Sequence, residues 1–242
     1  MSKVALVTGA SRSLGSEIIR EFAKDGIDVV INYHTEEEKA KELVSEITNK
    51  YHVKAIMIGC DISIEEEVRA MFAYIEREFG KLDYLINNAA IANDGIFLDK
   101  TGEDFMKVYQ TNLVGAFLCS KYAAKIMPQD GAIVNISSTN GIDTYYTYGA
   151  DYDCSKAALI SLTNNLAMEL APIRVNAIAP GWINTEMNSD LDSCYIAEES
   201  EKILLKRFAE ASEVAKVVTF LCSGDASYIN KSVIRVDGGY NG

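Results

Sequence analysis

Seven short runs of apolar residues alternate with amphipathic helical patterns along the chain, and this alternation limits the possible folds more than any other feature. The runs are largely apolar and show no regular alternation with polar residues, which is typical of strands buried on both faces of a parallel sheet. Between the runs, apolar residues recur at helical spacing, as Leu14, Ile18 and Phe22 do after the first run. The predicted strands cover residues 4–7, 29–31, 55–58, 82–86, 132–136, 174–179 and 233–236.

This alternation predicts one doubly wound α/β domain over residues 1–242, a Rossmann-type fold with a seven-stranded parallel sheet and helices on both faces. Ligands of such folds bind beyond the carboxyl ends of the strands. Ser63 is predicted to open the third helix with a capping box. Residues 184–208 are predicted to form a substrate lid. The main predicted helices cover residues 14–25, 36–50, 63–79, 102–127 in two stretches, 152–170 and 212–222.

The charge and the two histidines argue against several classes of function. A formal charge of −12 opposes binding to nucleic acid or to an anionic membrane. No apolar run approaches the roughly 18 residues of a membrane span. The chain starts on a strand pattern rather than a signal peptide, so we expect a cytoplasmic protein. Neither His34 nor His52 lies near a nucleophile elbow, which argues against a Ser-His-Asp hydrolase.

The five cysteines do not form a metal-binding pattern. They show no C-x-x-C pair and no Cys/His spacing suited to zinc, so no metal site is predicted. We expect all five to be buried, reduced, small apolar residues. They are Cys60, Cys119, Cys154, Cys194 and Cys222.

A glycine-containing turn follows the first predicted strand. Its sequence is Thr8-Gly9-Ala10-Ser11-Arg12-Ser13-Leu14-Gly15, which is neither G-x-G-x-x-G nor a P-loop. Small residues allow backbone N–H groups and a helix N-terminus to approach a phosphate closely. At the first strand–helix junction of a doubly wound sheet, the turn predicts a nucleotide or dinucleotide site.

A tyrosine and a lysine stand four residues apart near the start of a predicted helix. This spacing places Tyr152 and Lys156 on one helix face, where the ammonium is predicted to lower the tyrosine pKa. Tyr152 could then exchange a proton with a carbonyl or an alcohol. Ser137 and Ser138 end the strand just upstream, and one of their hydroxyls could hydrogen-bond a substrate oxygen.

Together these motifs resemble the short-chain dehydrogenase/reductase family from Lys3 to Gly239. The glycine turn is similar to the family's T-G-x-x-x-G-x-G. The acidic position after the third strand is matched by Asp61-Ile62, and Asn87-Asn88-Ala89-Ala90 resembles N-N-A-G. Further matches are Asn112, the Ser138, Tyr152 and Lys156 set, Pro180-Gly181-Trp182-Ile183-Asn184-Thr185, and Val236-Asp237-Gly238-Gly239.

The resemblance implies a role for each matched residue. Tyr152 would be the acid/base, Lys156 would lower its pKa and bind the nicotinamide ribose, and Ser138 would polarise the substrate carbonyl. Asn112 would hold a water of a proton relay. Hydride would pass directly between nicotinamide and substrate without a metal, and the protein would be a homotetramer. The implied cofactor-binding residues are Gly9, Ser11, Arg12, Ser13, Leu14, Gly15, Asn32, Tyr33, His34, Asp61, Ile62, Asn88, Ala89, Tyr152, Lys156, Pro180, Gly181, Ile183 and Thr185.

The end of the second strand favours NADP(H) over NAD(H). An acid there would bind the ribose 2′-hydroxyl of NAD, but residues 31–35 contain none, and the first acid after the strand is Glu36. Arg12 lies in the turn, where a guanidinium can reach a 2′-phosphate. Ser13 departs from the family by replacing the middle glycine of the turn, and a positive φ at this residue would strain cofactor binding.

The substrate is less constrained than the reaction. The chain resembles the 3-oxoacyl-[acyl carrier protein] reductase branch, while sugar and polyol dehydrogenases of the family share the same motifs. Residues 127–131 and 170–173 offer little positive charge for an acidic carrier protein. A catalytically silent regulator would be expected to lose Ser138, Tyr152 or Lys156, and all three are present. The tyrosines of residues 145–148 fit either a pocket wall or a subunit contact.

Overall fold

The computed structural model describes residues 2–185 and 191–241, and it contains the predicted seven-stranded parallel sheet. The strand order is β3-β2-β1-β4-β5-β6-β9, with Leu6 paired to Val30 on one side and to Leu85 on the other. A separate parallel pair joins β7 to β8. The strands are β1 Val4–Val7, β2 Asp28–Tyr33, β3 Ala55–Gly59, β4 Tyr84–Asn87, β5 Ala132–Ile136, β6 Arg174–Pro180, β7 Ile183–Asn184, β8 Ala209–Glu210 and β9 Val233–Val236.

Helices cover both faces of the sheet, so the predicted fold class is confirmed. Alternate residues of β1 serve the two cores: Ala5 and Val7 pack with α1, α2 and α8, whereas Val4 and Leu6 pack with α3, α5 and α6. The helices are α1 Ser13–Lys24, α2 Glu37–Tyr51, α3 Glu65–Phe79, α4 Gly102–Tyr109, α5 Ala116–Ala123, α6 Ala150–Glu169, α7 Ser193–Lys202 and α8 Ala211–Cys222.

The predicted capping box at Ser63 is wrong. Helix α3 begins two residues later, after an extended Ile64. The Ser63 backbone N–H instead donates to Asp61 Oδ1 at 2.9 Å. The Glu67 carboxylate reaches back to accept the Asp61 backbone N–H at 2.8 Å. These two carboxylates therefore fix the loop after β3, which the resemblance assigns to the adenine side of the site.

A π-helical turn, Gln110–Gly115, joins α4 to α5 where two separate helical stretches are predicted. Gly115 makes the close packing of this turn possible, because a Cβ on it would lie 2.7 Å from Ile62 Cδ1. The turn also carries the buried Asn112. Such turns inside helices are frequent at functional sites, and this one sets the position of the predicted relay residue.

The prediction that all five cysteines are buried is wrong for two of them. Cys60, Cys119 and Cys222 are buried, whereas Cys154 and Cys194 are exposed; all five are free thiols. Cys154 lies on the outward face of α6, between buried Asp153 and Ser155. The described helices include none that is long and apolar enough to cross a membrane.

Candidate active site

The carboxyl ends of the parallel strands meet at one edge of the sheet, and the predicted site residues follow these ends. Strand β1 pairs with β2 on one side and β4 on the other, so the chain reverses its direction of winding there. Ligands of doubly wound folds bind at this switch point. The glycine turn leaves β1 at that point, and Ser138 follows β5.

Polar side chains of neighbouring strands hold the glycine turn. Gly9 has a φ of +60°, and its N–H donates to Asn32 Oδ1 at 3.1 Å. The Asn88 amide donates to the carbonyls of Thr8 and Gly9 at 2.9 and 3.1 Å. Helix α1 begins so close to the turn that a Cβ on Gly15 would lie 2.6 Å from the Gly9 oxygen. The amides of Asn32 and Asn88 therefore shape the turn rather than point freely into the site.

The first turn of α1 is suited to an anion. It contains no acidic residue, and the side chain of its N-cap residue, Arg12, makes no capping hydrogen bond. Among the described residues, no side chain accepts a hydrogen bond from the backbone N–H groups of Ser13, Leu14 and Gly15, where the helix dipole has its positive end. Ser13 has a φ of +50°. This is the positive φ that, according to the sequence analysis, would strain cofactor binding.

The predicted adenosine side lies at the ends of β2 and β3. The Tyr33 ring covers Gly59, where a Cβ would lie 3.2 Å from the ring. His34 is exposed, and its Nε2 lies 3.7 Å from Asp61 Oδ2. Ile62 is buried against the π-helical turn. Tyr33 ends β2, and His34, Asp61 and Ile62 follow the carboxyl ends of β2 and β3, so all four lie at the same edge of the sheet.

Tyr152 and Lys156 lie on the first turns of α6. Lys156 is 2% exposed, and its Nζ donates to the Ile136 carbonyl at 2.7 Å. The same Nζ lies 5.4 Å from the centroid of the Tyr152 ring. Ser137 supports this geometry because its hydroxyl donates to the Lys156 carbonyl at 2.9 Å. The spacing of four therefore brings the ammonium and the phenol together beside the end of β5.

The predicted lowering of the Tyr152 pKa is wrong in this structure. Burial raises the pKa of Tyr152 to about 12, and a hydrogen bond with Ser138 opposes this only in part. The carboxylates of Asp153 and Asp94 raise it further. Burial also lowers the pKa of Lys156 to about 8. The sequence rule considered the lysine charge and omitted desolvation, which is the larger effect here.

Asn112 is held by hydrogen bonds on all sides of its amide. Its Nδ2 donates to the Ile91 carbonyl at 2.9 Å and to Ser155 Oγ at 3.0 Å, while its Oδ1 accepts the Ile91 N–H at 2.9 Å. Ser155 Oγ in turn donates to the Tyr152 carbonyl at 2.7 Å. Asn112 thus connects the loop after β4 to the helix that carries the tyrosine.

The loop after β6 faces the site from the other side. Gly181 approaches the Val236-Asp237-Gly238-Gly239 segment closely, since a Cβ on it would lie 2.9 Å from Asp237 Cβ. Trp182 stacks on Phe208 with centroids 5.2 Å apart, and its Nε1 donates to Glu199 at 3.2 Å. Ile183 forms β7 and Thr185 follows it. Helix α7 lies in the predicted lid, of which residues 186–190 are outside the described residues.

The structure also places charged residues at the site that the sequence reasoning missed. Lys100 and Asp151 form an ion pair of 2.7 Å, with side chains only 8% and 0% exposed. Asp153 is 7% exposed and accepts hydrogen bonds from Asn140 and from the Tyr146 backbone. Asp153 lies inside the Tyr-x-x-x-Lys segment, and this position is the one sequence signal that points to a charged residue at the site. The sequence does not show that this carboxylate is buried.

Comparison with known proteins agrees with this geometry. Residues 9–241 match a family model described as enoyl-(acyl carrier protein) reductase. The 3-oxoacyl-[acyl-carrier-protein] reductase FabG of Aquifex aeolicus (strain VF5) is 42% identical over 241 residues, covering 98% of this chain and 96% of that protein. A short-chain dehydrogenase/reductase from Serratia marcescens BCRC 10948 superimposes with a TM-score of 0.94 at 30% identity, covering 99% of this chain and 98% of the other. L-Sorbose reductase from Gluconobacter frateurii, complexed with NADPH and L-sorbose, gives a TM-score of 0.92 at 29% identity, covering 99% and 96%.

The fold, the site and these relatives define an oxidoreductase that acts on carbonyl or alcohol groups. The chain belongs to the short-chain dehydrogenase/reductase family. The resemblance noted in the sequence is thereby confirmed at the level of the family.

Proposed function

We propose that this protein is an NADP(H)-dependent ketoreductase of the 3-oxoacyl-[acyl carrier protein] reductase type. The observation that carries the proposal is the position of Ser138, Tyr152 and Lys156 at the end of β5, on the same carboxyl edge of the sheet as the glycine turn after β1. Sequence identity of 42% to the FabG protein of Aquifex aeolicus supports the substrate class.

The residues of the turn fit a dinucleotide. The N-terminus of α1 offers backbone N–H groups to a pyrophosphate, and the close packing of Gly9 and Gly15 leaves the backbone accessible to it. Lys156 would hold the nicotinamide ribose, and Ile183 and Thr185 the carboxamide. When bound, the nicotinamide supplies the hydride for the reaction.

In the proposed reduction, Tyr152 donates its phenolic proton to the substrate oxygen while the carbonyl carbon accepts the hydride, so the product is a secondary alcohol. Ser138 donates a hydrogen bond to the same oxygen. The raised pKa of Tyr152 keeps it protonated at neutral pH, which suits a proton donor. Lys156, with a pKa near 8, is mainly charged at pH 7 and stabilises the phenolate that remains.

The preference for NADP(H) rests on the sequence at the end of β2 and on Arg12. Residues 31–35 contain no acid that would repel a 2′-phosphate. The NADPH in the complex of L-sorbose reductase is consistent with this preference.

Arg12→Ala is expected to weaken binding of NADPH by roughly ten-fold or more, as loss of a charge-assisted hydrogen bond implies, and to leave NADH binding almost unchanged. Equal effects on the two nucleotides, measured by fluorescence titration, would contradict the assignment.

A sugar or polyol reductase is the second candidate. The similarity to L-sorbose reductase and the low positive charge of residues 127–131 and 170–173 favour it. The test is NADPH oxidation with a 3-oxoacyl thioester on acyl carrier protein, an acetoacetyl thioester, and a panel of ketoses and diketones. Faster turnover of a ketose than of any thioester would select this second candidate. Tyr152→Phe should abolish turnover of the preferred substrate while NADPH still binds.

We also propose that the protein is a homotetramer that pairs α6 and β9 across subunits. Large apolar side chains are exposed near these elements: Met168 on α6 and Phe220 on α8 are 68% and 45% exposed, and Tyr228 lies fully on the surface. Contact between copies would bury them. A monomer by light scattering would contradict the proposal.

A further inference from the structure

A buried carboxylate joins three segments of the chain, one of which carries the residues predicted to hold the nicotinamide. Glu199, on α7, is 5% exposed. Its Oε2 accepts hydrogen bonds from Trp182 Nε1 at 3.2 Å and from the Tyr240 hydroxyl at 2.6 Å. Its Oε1 accepts a hydrogen bond from the Lys202 ammonium at 2.6 Å. Trp182 belongs to the loop after β6 and Tyr240 to the C-terminal segment, so one side chain connects α7 to both.

The surroundings of Glu199 keep its carboxyl group charged. Burial by itself would raise the pKa of Glu199, but the hydrogen bonds from Lys202, Tyr240 and Trp182 outweigh burial, so this pKa lies below its ordinary value. Hydrogen bonds to an ionised acceptor are shorter and stronger than those between neutral groups. Glu199 is therefore a firm anchor for its three donors, and none of the roles assigned above uses it.

The hydrogen bond to Glu199 fixes the indole of Trp182 in a way that its ring contacts do not. The indole stacks on Phe208 with centroids 5.2 Å apart, and its edge meets the Tyr195 ring at 6.0 Å. Contacts between rings tolerate small shifts and rotations, whereas a hydrogen bond is directional. The bond from Nε1 therefore selects one orientation of the indole.

The backbone on either side of Trp182 leads into the site. The Gly181 N–H donates to the carbonyl of the last residue of β9 at 3.1 Å, and Ile183 pairs with Ala209 in the small β7–β8 sheet. Ile183 and Thr185 are the residues predicted to hold the carboxamide. Trp182 is the side chain between these points, so its orientation also constrains the backbone that continues into Ile183 and Thr185.

The chain that follows α7 is held in place without Glu199. Backbone hydrogen bonds of 3.0–3.2 Å join residues 202–205 to residues 238–241, and Ile203 forms an antiparallel bridge with Tyr240. These bonds do not involve the Glu199 side chain. Loss of its carboxylate should therefore release the indole without detaching the end of α7 from the C-terminal segment.

We propose that Glu199 is a positioning residue that holds the loop of residues 181–185 in the shape that receives the nicotinamide end of the cofactor. The inference rests on the proposed function for the identity of that ligand. When the loop is already ordered, less of the binding free energy is lost in ordering it. Helix α7 and Tyr240 would thus contribute to cofactor binding through Glu199, although neither is predicted to contact the cofactor.

The test compares the binding of two ligands to Glu199→Ala by titration calorimetry. One ligand is NADPH, and the other is adenosine 2′,5′-bisphosphate, which has the adenosine and the 2′-phosphate but no nicotinamide. NADPH binding should weaken by about ten-fold, at the low end for loss of one hydrogen bond to a charged group. Binding of the bisphosphate should not change. Glu199→Gln keeps one acceptor oxygen and should weaken NADPH binding less.

Glu198→Gln is the matched control, because Glu198 lies on the same helix but is exposed. This variant should bind both ligands as the wild type does. Equal weakening of the two ligands in Glu199→Ala, or NADPH binding that this variant leaves unchanged, would overturn the proposal. Thermal melts show whether each variant is folded. If Glu199→Ala does not fold, Trp182→Phe replaces it in the test, since it removes the donor, keeps a ring and should show the same selective loss.

A second readout separates this inference from the proposed function. Trp182 is the one tryptophan of the chain, so the intrinsic tryptophan emission reports on its surroundings directly. In Glu199→Ala, the emission should move to longer wavelength and acrylamide should quench it more, because water replaces the carboxylate at Nε1. If the wild-type protein binds no NADPH, the proposed function fails, and the emission then decides whether Glu199 holds the loop. Unchanged emission and quenching would overturn the inference whether or not the ligand is known.

Discussion

Two nearly buried lysines lie near Tyr152, the proposed proton donor, and their surroundings differ. Lys100 pairs with Asp151 at 2.7 Å and also donates to the Asn93 carbonyl. Lys156 donates to the Ile136 carbonyl, and no carboxylate of the described residues lies within ion-pair distance of it. Burial accordingly lowers the pKa of Lys156 to about 8. The charge of Lys100 is neutralised and structural, whereas the charge of Lys156 remains available to the phenol and to a ligand.

Of the two lysines, Lys156 should cause the larger loss of activity when it is replaced. Lys156→Met removes the charge that stabilises the phenolate, so we expect kcat to fall by roughly 10²–10⁴-fold, the usual contribution of proton-transfer catalysis. Steady-state NADPH oxidation measures the loss. Lys125→Met, an exposed lysine after α5, is the control and should retain full activity. A Lys156→Met enzyme within three-fold of the control would show that the two buried lysines are both structural.

Replacing Lys100 should instead produce the largest loss of stability. Lys100→Met leaves the Asp151 carboxylate buried without its partner, which costs about 3–5 kcal/mol. Urea denaturation measures this change. Adding Asp151→Asn should recover part of it, since an amide needs no counter-charge and can still accept the Tyr152 N–H that Asp151 accepts at 2.9 Å. Lys206→Met removes an exposed ion pair with Glu201 and should cost less than about 1 kcal/mol.

If Lys100→Met costs no more than Lys206→Met, the Lys100–Asp151 pair contributes nothing beyond a surface ion pair. A double variant that is no more stable than Lys100→Met would show that side-chain packing, rather than the unpaired charge, causes the loss.

The unfolding free energy should depend on pH through the titration of Lys156. A folded-state pKa near 8, against an ordinary 10.5, means that the folded protein binds fewer protons than the unfolded chain between these values. Stability from this group therefore rises with pH through that window, by up to about 3 kcal/mol for a shift of this size. The difference in unfolding free energy between wild type and Lys156→Met, measured by urea denaturation from pH 7 to 10.5, should increase accordingly. A constant difference would contradict the lowered pKa.

The sheet and the Tyr152–Lys156 pair could be predicted because local patterns determine them. An apolar run of five residues followed by helical spacing requires a covered strand, and a separation of four places two side chains on one helix face. The π-helical turn at Asn112 depends instead on Ile62 packing against Gly115, a contact between residues 53 positions apart in the sequence. The spacing of residues around Asn112 does not indicate this contact or the π-helical turn that depends on it.

The charged network could not be predicted for the same reason. Asp151 and Asp153 are at alternate positions near a helix start, where acids are usually solvated. Their burial follows from Lys100, 51 residues away in the chain, and from Asn140 in the preceding loop. The pKa of Tyr152 differs from the predicted one because desolvation depends on every group packed around the ring, whereas the sequence indicates only the lysine.

Ser13 extends the comparison to the glycine turn, because it too carries an energetic cost at a predicted binding site. Its φ of +50° is unfavourable for a residue with a Cβ by roughly 1–2 kcal/mol, while glycine there would lose more entropy on folding, by about 0.5–1 kcal/mol. Ser13→Gly should therefore stabilise the protein by up to about 1 kcal/mol in urea denaturation. Ser11→Gly, in the same turn but without a positive φ, should destabilise it. Two changes of the same sign would show that the turn stores no strain at Ser13. Tighter NADPH binding by Ser13→Gly would further show that the strain at Ser13 lies where the ligand binds. Lys156, whose charge is not paired with a carboxylate of the described residues, is predicted to contact the same ligand.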